Sequence, residues 1–309
     1  MHSLRWQSLY RSLAVAVLVS GSFAKNILLT NDDGWAVAMI RAQDEALKEA
    51  GYNVVLSCPS ENKSGTGSST TTPTTMTEPC EYNTCSTGSP AEGYNATDPT
   101  LNYVNGYPVD SARYGIQTLA PQFFDGAKPD FVVSGPNVGN NLGSTVQISG
   151  TVGAACEAAK EGVPSISFSG SGSSLSQISY TTLTSSPTST DTLAAYLYSA
   201  ATVDLVNALL ASSPPYLPTG IVMNVNYPSL ADCASASDYK WVLTRILSDS
   251  EATDVETCGT DHLPAESDVV GGCYASVSVY NASTKADVDA ATQGFVLNRL
   301  GSFLTCYGS

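Results

Sequence analysis

Two adjacent carboxylates, Asp32 and Asp33, lie in Asn31-Asp-Asp-Gly34, directly after the apolar run Asn26-Ile-Leu-Leu-Thr30. Where a buried strand ends, a turn brings both side chains toward one cation. Hard divalent ions favour such oxygen ligands and keep positions open for water and phosphate. An ordinary turn with a helix cap is the plain alternative. A second polar loop, Ser60-Glu-Asn-Lys-Ser-Gly-Thr-Gly67, carries glycines that let backbone N–H groups approach an anion, and Lys63 adds positive charge. Its plain alternative is a flexible polar loop. The third is Ser134-Gly-Pro-Asn-Val-Gly-Asn-Asn-Leu-Gly143, followed by Ser149-Gly-Thr151 at the start of a helical pattern. Amides and hydroxyls there fill a metal shell or donate to phosphate oxygens, and a helix N-terminus favours an anion. Ser149 serves equally as a simple N-cap.

These loops need a scaffold that presents them together. Asn26–Thr30 reads as a strand, Val37–Gly51 as an amphipathic helix and Tyr52–Leu56 as the next strand, a βαβ opening that calls for a parallel sheet with a right-handed crossover. Residues 64–100 are rich in Ser, Thr, Pro and Gly and read as a long loop, with order resuming near Asn105. Pro129–Val133 and Pro164–Phe168 read as strands around a helix from Ser149 to Lys160. A second Ser/Thr-rich loop covers about 170–190, before a helix Leu193–Leu210 and a strand Gly220–Asn226. Tyr239–Val279 has β character of hairpin type, and a last helix spans roughly Ala286–Leu300. The expected class is α/β: a Rossmann-like, three-layer, doubly wound and mostly parallel sheet with a β-rich C-terminal arm. Ligands of such sheets bind beyond the carboxyl ends of the strands, where all three loops fall.

The 309 residues include 13 Lys+Arg and 28 Asp+Glu, a formal net charge of -15. Such a balance argues against polymeric nucleic acid and anionic membrane as partners, because a negative surface repels a phosphate backbone. Residues 1–24 have the pattern of a signal peptide: Arg5 and Arg11, an apolar run Ser12–Ser20, and Ser22-Phe-Ala24 as a cleavage site. Cleavage after Ala24 removes two of the 13 basic residues and none of the 28 acids, leaving a net charge of -17. No second hydrophobic span is expected, and residues 25–309 are expected to form the one domain of a secreted, extracellular protein.

The eight cysteines, Cys58, Cys80, Cys85, Cys156, Cys233, Cys258, Cys273 and Cys306, are an even set suited to an oxidising compartment. Cys80–Cys85 is expected as a local staple, with a further bridge among Cys233, Cys258 and Cys273. There is no C-x-x-C, and the only histidines are His2 and His262, which excludes a Cys2His2 zinc centre. Asn95-Ala-Thr97 and Asn281-Ala-Ser283 are glycan acceptors by pattern. Asn62-Lys-Ser64 fits the same pattern within the second loop.

In order along the chain, Ile27–Gly34, Asn62–Gly65, Gly106-Tyr-Pro-Val-Asp110, Asp130–Asn137, Ser149-Gly-Thr-Val-Gly-Ala-Ala155, Gly162-Val-Pro-Ser-Ile166 and Asn224-Val-Asn-Tyr-Pro228 resemble the SurE family of metal-dependent phosphatases and nucleotidases. The resemblance covers most of the chain after the leader, apart from the Ser/Thr-rich loops. It implies a divalent cation, Mg2+ or Mn2+, held by Asp32, Asp33, Ser64 and Asn137, with the two aspartates also catalytic. Asn31, Gly65, Asn141, Ser149, Gly150 and Thr151 would surround the phosphate. It further implies hydrolysis of small phosphate monoesters, of acid phosphatase or nucleoside monophosphate type, by a homo-oligomer with an exchanged C-terminal arm. Ser276–Asn281 lacks the Pro-Leu pair usual there in bacterial members, so no histidine role is carried over.

Three other readings compete. Haloacid-dehalogenase-type phosphatases use an aspartyl nucleophile in an Asp-x-Asp pattern, whereas Asp32 and Asp33 are adjacent. A dinucleotide-binding oxidoreductase needs G-x-G-x-x-G after the first strand, and it is absent. A secreted, non-catalytic binding or surface protein on the same fold would be favoured by a glycan on Asn62. His262, the one histidine after the leader, is expected at the surface.

Overall fold

The structure, a computed structural model, describes residues 24–171 and 175–308. The expected leader lies outside them apart from Ala24. Among the described residues, nine strands form one sheet in the order β3-β4-β2-β1-β5-β6-β7-β9-β8. They are β1 (Asn26–Thr30), β2 (Asn53–Pro59), β3 (Glu92–Asn95), β4 (Asp98–Val104), β5 (Phe131–Val138), β6 (Ser165–Gly170), β7 (Ile221–Tyr227), β8 (Lys240–Thr244) and β9 (Tyr274–Asn281). All pairings are parallel except β3 with β4 and β7 with β9.

Successive side chains of a strand point to opposite faces, and the central strands are apolar on both. Ile27 and Leu29 therefore join one core with Val54, Leu56, Phe131 and Val133, while Leu28 and Val132 join another beneath the sheet. Helices α1 (Ala38–Glu49) and α4 (Thr190–Leu210) cover the first face; α2 (Pro108–Tyr114) and α3 (Gly150–Lys160) cover the second. Each fully buried aliphatic side chain contributes about 1.5–3 kcal/mol. Helix α5 (Ala290–Leu300) closes the C-terminal side against the first core through Val296 and Leu300. Among the described residues α4 is long and apolar enough to cross a membrane, contrary to the expectation of no second span. Its apolarity serves burial, since Ala194, Ala195, Tyr198, Ala201, Leu205 and Leu209 are wholly enclosed in the first core.

From β1 the chain winds outward through β2 and β4, then returns to the other side of β1 for β5, β6 and β7. The order thus reverses between β1 and β5, and the crevice beyond their carboxyl ends is where such sheets bind ligands.

Three local expectations need correction. Residues 64–100 are not all loop, because β3 and the start of β4 fall within them. Leu101, Tyr103 and Val104 are buried, and β4 pairs with β2. The C-terminal β region is no hairpin: β8 and β9 are parallel neighbours, an arrangement that requires the long crossover 245–273. Of the cysteines, Cys80–Cys85 pair as expected and Cys233 pairs with Cys273, but Cys258 pairs with Cys306. Cys58 and Cys156 remain buried thiols, packed in different cores on opposite faces of the sheet and so out of reach of each other.

Candidate active site

Asp32 and Asp33 follow β1 and are both buried. Asn31 shapes their turn, its Nδ2 donating to Gly34 O at 2.9 Å and its Oδ1 accepting from Gly34 N at 3.2 Å. The two carboxylates diverge. Asp32 points to the start of α3, where Thr151 Oγ1 donates to its Oδ1 at 2.6 Å. Asp33 points to β5, and its Oδ2 accepts the Val138 N–H at 2.9 Å.

Helix α3 comes this close only because its first turn is small. A Cβ on Gly150 would stand 2.8 Å from Asp32 Cβ, and one on Gly153 would stand 2.0 Å from Gly67 O. The second contact packs the glycine loop onto the helix. That loop is also held by Lys63 N–H donating to Asp32 O at 2.7 Å and Gly67 N–H donating to Ile148 O at 2.8 Å. Ser149 caps α3, its hydroxyl accepting the Val152 N–H at 3.1 Å. Ser64 and Gly65 are exposed at the loop tip, and the Lys63 ammonium pairs with Glu61.

The third loop leaves β5 through a register shift between Ser134 and Asn137, which re-aims the chain. Asn137 donates its Nδ2 to Gly139 O at 2.6 Å, and its buried Oδ1 has no partner. Asn141 is buried behind it, its Nδ2 on Ser169 Oγ at 2.7 Å. Its backbone is held by Asn226 Oδ1 on the N–H and Asn224 Nδ2 on the carbonyl, each at 2.8 Å.

The electrostatics follow from burial. Removal from water raises the pKa of Asp32, against which the Thr151 hydroxyl and the first N–H groups of α3 act. Removal from water and the neighbouring Asp32 charge raise Asp33 well above the ordinary carboxylate range. Two adjacent buried carboxylates and an orphaned amide oxygen fit a divalent cation, which would replace the lost hydration and satisfy Asn137 Oδ1. Among the described residues no three His, Cys, Asp or Glu side chains converge. A cation here therefore relies on two carboxylates with neutral oxygens, the donor set of a hard, partly hydrated ion.

Three further residues carry no signal in the sequence. Glu81 approaches from the turn closed by Cys80–Cys85; its Oε1 accepts the Ala36 N–H at 3.2 Å, and burial raises it to about 7. Gln177, from the second Ser/Thr-rich loop, donates through Nε2 to Asp33 Oδ1. Glu266 lies beneath the third loop, wholly buried and raised to about 8 by that burial. Its Oε1 accepts the Gly143 N–H at 2.7 Å, and its Oε2 accepts Asn224 Nδ2 at 3.0 Å and Ser278 Oγ at 2.9 Å. His262 is exposed beside Asp261, away from the site.

Comparison with known proteins gives consistent matches. The family described as survival protein SurE matches residues 27–252. An acid phosphatase of Yarrowia lipolytica is 34% identical over 318 residues, covering 92% of this chain and 87% of that protein. A 5'-nucleotidase SurE of Desulfovibrio desulfuricans is 40% identical over 144 residues, covering 47% of this chain and 49% of that protein. Among solved structures, the SurE protein from Aquifex aeolicus superposes with a TM-score of 0.56 at 25% identity, covering 88% of this chain and 98% of that one.

Proposed function

The chain belongs to the SurE family, and from that premise we propose that it is a secreted, divalent-cation-dependent hydrolase of small phosphate monoesters. The observation that carries this reading is the burial of Asp32, Asp33 and the partnerless Asn137 Oδ1 on the ends of β1 and β5, the two strands between which the order reverses. The relatives named acid phosphatase and 5'-nucleotidase support the reaction class. Three disulfides support passage through an oxidising compartment, and residues 1–24 are its expected leader.

Asp32, Asp33, Asn137 and Ser64 would hold Mg2+ or Mn2+. When bound, such an ion neutralises charge on the non-bridging phosphate oxygens and lowers the pKa of bound water. The chain's own residues prepare the site for it. Thr151 and the N-terminus of α3 orient Asp32 and oppose the rise in its pKa, and the Val138 N–H acts in the same sense on Asp33. Gly65 and the exposed Ser64 backbone leave room for phosphate at the rim. Asn31, Asn141 and Ser149 shape the surrounding loops through their own hydrogen bonds. An acidic protein thereby accepts one small anion without attracting polyanions. A homo-oligomer completes the proposal and is read by light scattering.

The test is turnover of p-nitrophenyl phosphate and nucleoside monophosphates with Mg2+ or Mn2+ and with EDTA. Cation-dependent hydrolysis that falls at least about 100-fold in Asp32→Asn is expected, the scale of losing one charge-stabilising group in an active site. Full activity in that variant, or turnover indifferent to EDTA, would sink the mechanism.

A further inference from the structure

Gln177 reaches Asp33 along a built path. Val37 and Ser179 form an antiparallel bridge, with Ala38 N–H donating to Ile178 O at 2.8 Å and Tyr180 N–H donating to Ala36 O at 2.9 Å. The segment after Gln177 is thus paired to the segment just after Asp33. Tyr82, on the turn closed by Cys80–Cys85, donates its hydroxyl to Gln177 O at 3.0 Å. Arg41 lies over the Tyr180 ring, 4.8 Å from its centroid, and over Trp35 at 5.3 Å, pinning the same corner.

The carboxamide so delivered uses both of its ends. Nε2 donates to Asp33 Oδ1, while Oε1 accepts Asn62 Nδ2 at 2.6 Å. Asn62 Oδ1 in turn accepts the Ser64 N–H at 2.8 Å. A continuous polar chain therefore runs from Asp33 through Gln177 and Asn62 to Ser64, joining two candidate cation ligands on separate loops. Only an amide of this length supplies a donor to the carboxylate and an acceptor to Asn62 at once. Ser64 is exposed and a Cβ on Gly65 would meet no atom within 4 Å, so packing does little to hold this loop tip.

Resting on the cation-site reading above, we propose that Gln177 is a positioning residue for cation binding, holding Asp33 and, through Asn62, Ser64 in mutual register. Its role is to remove in advance the freedom that the loop tip would otherwise lose when the ion binds.

The test is Mn2+ binding to the demetallated mature protein, read from the free-ion electron paramagnetic resonance signal, for the wild type, Gln177→Ala, Asn62→Ala and the double variant. Asn62→Ala probes the chain without touching the paired segment 177–180. Each single variant should bind Mn2+ about 10-fold more weakly or worse, the usual scale for groups that orient metal ligands. The double variant should bind no more weakly than the worse single, because both act through one chain. Unchanged or tighter binding in Gln177→Ala, as expected if the amide merely competes with the ion for Asp33, would overturn the proposal, as would additive losses. A wild type that binds no Mn2+ would overturn the cation site itself, whereas wild-type binding with an indifferent Gln177→Ala overturns the positioning role alone.

Discussion

The Thr151 hydroxyl donates to Asp32 Oδ1 at 2.6 Å, linking the start of α3 to the end of β1 across 119 residues of chain. Neither atom has water to fall back on, since both residues are buried. Thr151→Val keeps the shape and removes the donor, so it should destabilise the fold by about 1.5–3 kcal/mol where Asp32 is ionised, the range for a hydrogen bond to a charged group. Denaturant melts at pH 7 measure the loss, and phosphatase activity should fall with it. An unchanged midpoint would show that the bond does not stabilise Asp32.

Close approach makes a graded prediction at two glycines of α3. Gly150→Ala places its methyl against the Asp32 and Pro108 side chains, at 2.8 Å from Asp32 Cβ and 3.0 Å from Pro108 Cγ. Gly153→Ala meets backbone, Gly67 O at 2.0 Å, which cannot rotate away. Overpacking typically costs about 1–3 kcal/mol. Gly153→Ala should be the worse of the two in thermal melts and should loosen the glycine loop, read as faster proteolysis near residues 60–67.

Glu266 predicts a pH dependence of stability. Its folded pKa of about 8 lies above the ordinary value of 4.5, so the folded chain holds a proton that the unfolded chain releases. That contribution is complete below the unfolded value and is lost as pH rises through the window up to about 8. Glu81, raised to about 7, acts in the same direction over a shorter window. Glu266→Gln mimics the neutral form and removes one titration. The stability difference between variant and wild type should therefore grow with pH across that window and level off above it. A flat difference from pH 5 to 9 would refute the assignment.

Asp33 sets function against stability. Burial and the Asp32 charge make its ionised form costly in the cation-free chain. Asp33→Asn should raise the melting temperature measured in EDTA while abolishing turnover. Added Mn2+ should stabilise the wild type, by about 2.7 kcal/mol at a hundred times its dissociation constant, and leave the variant unmoved. A variant that melts lower in EDTA would contradict this balance.

The covalent state is also testable. Cys58 and Cys156 are buried thiols, and burial raises both, so neither should react with maleimide until the chain unfolds. Mass spectrometry without reduction should then show two labels. Glycopeptide mapping should find sugar at Asn95 and Asn281 but none at Asn62, whose Nδ2 donates to Gln177 in the site. A glycan on Asn62 would favour the non-catalytic alternative.

Patterns set by near neighbours were legible in the residue order. The run Ile27-Leu-Leu29 marks a strand buried on both faces, and small residues at the start of α3 announce a helix that must come close to something. Asn31-Asp-Asp-Gly34 carries its turn within four residues, through Asn31 bonded to Gly34 on both sides. The resemblance added that the three loops act together. The strand β4, which begins at the end of the Ser/Thr-rich stretch, was not legible, because its pairing with β2 rather than its composition makes it a strand.

Fold class and the paired aspartates were thus decided by residue type and spacing, since each depends on periodicity or adjacency. The Cys258–Cys306 bridge, Glu266 beneath the third loop and Gln177 on Asp33 were decided only when the chain closed. Each joins residues far apart in sequence, 144 positions in the case of Gln177 and Asp33, through backbone pairing and burial that no local pattern encodes.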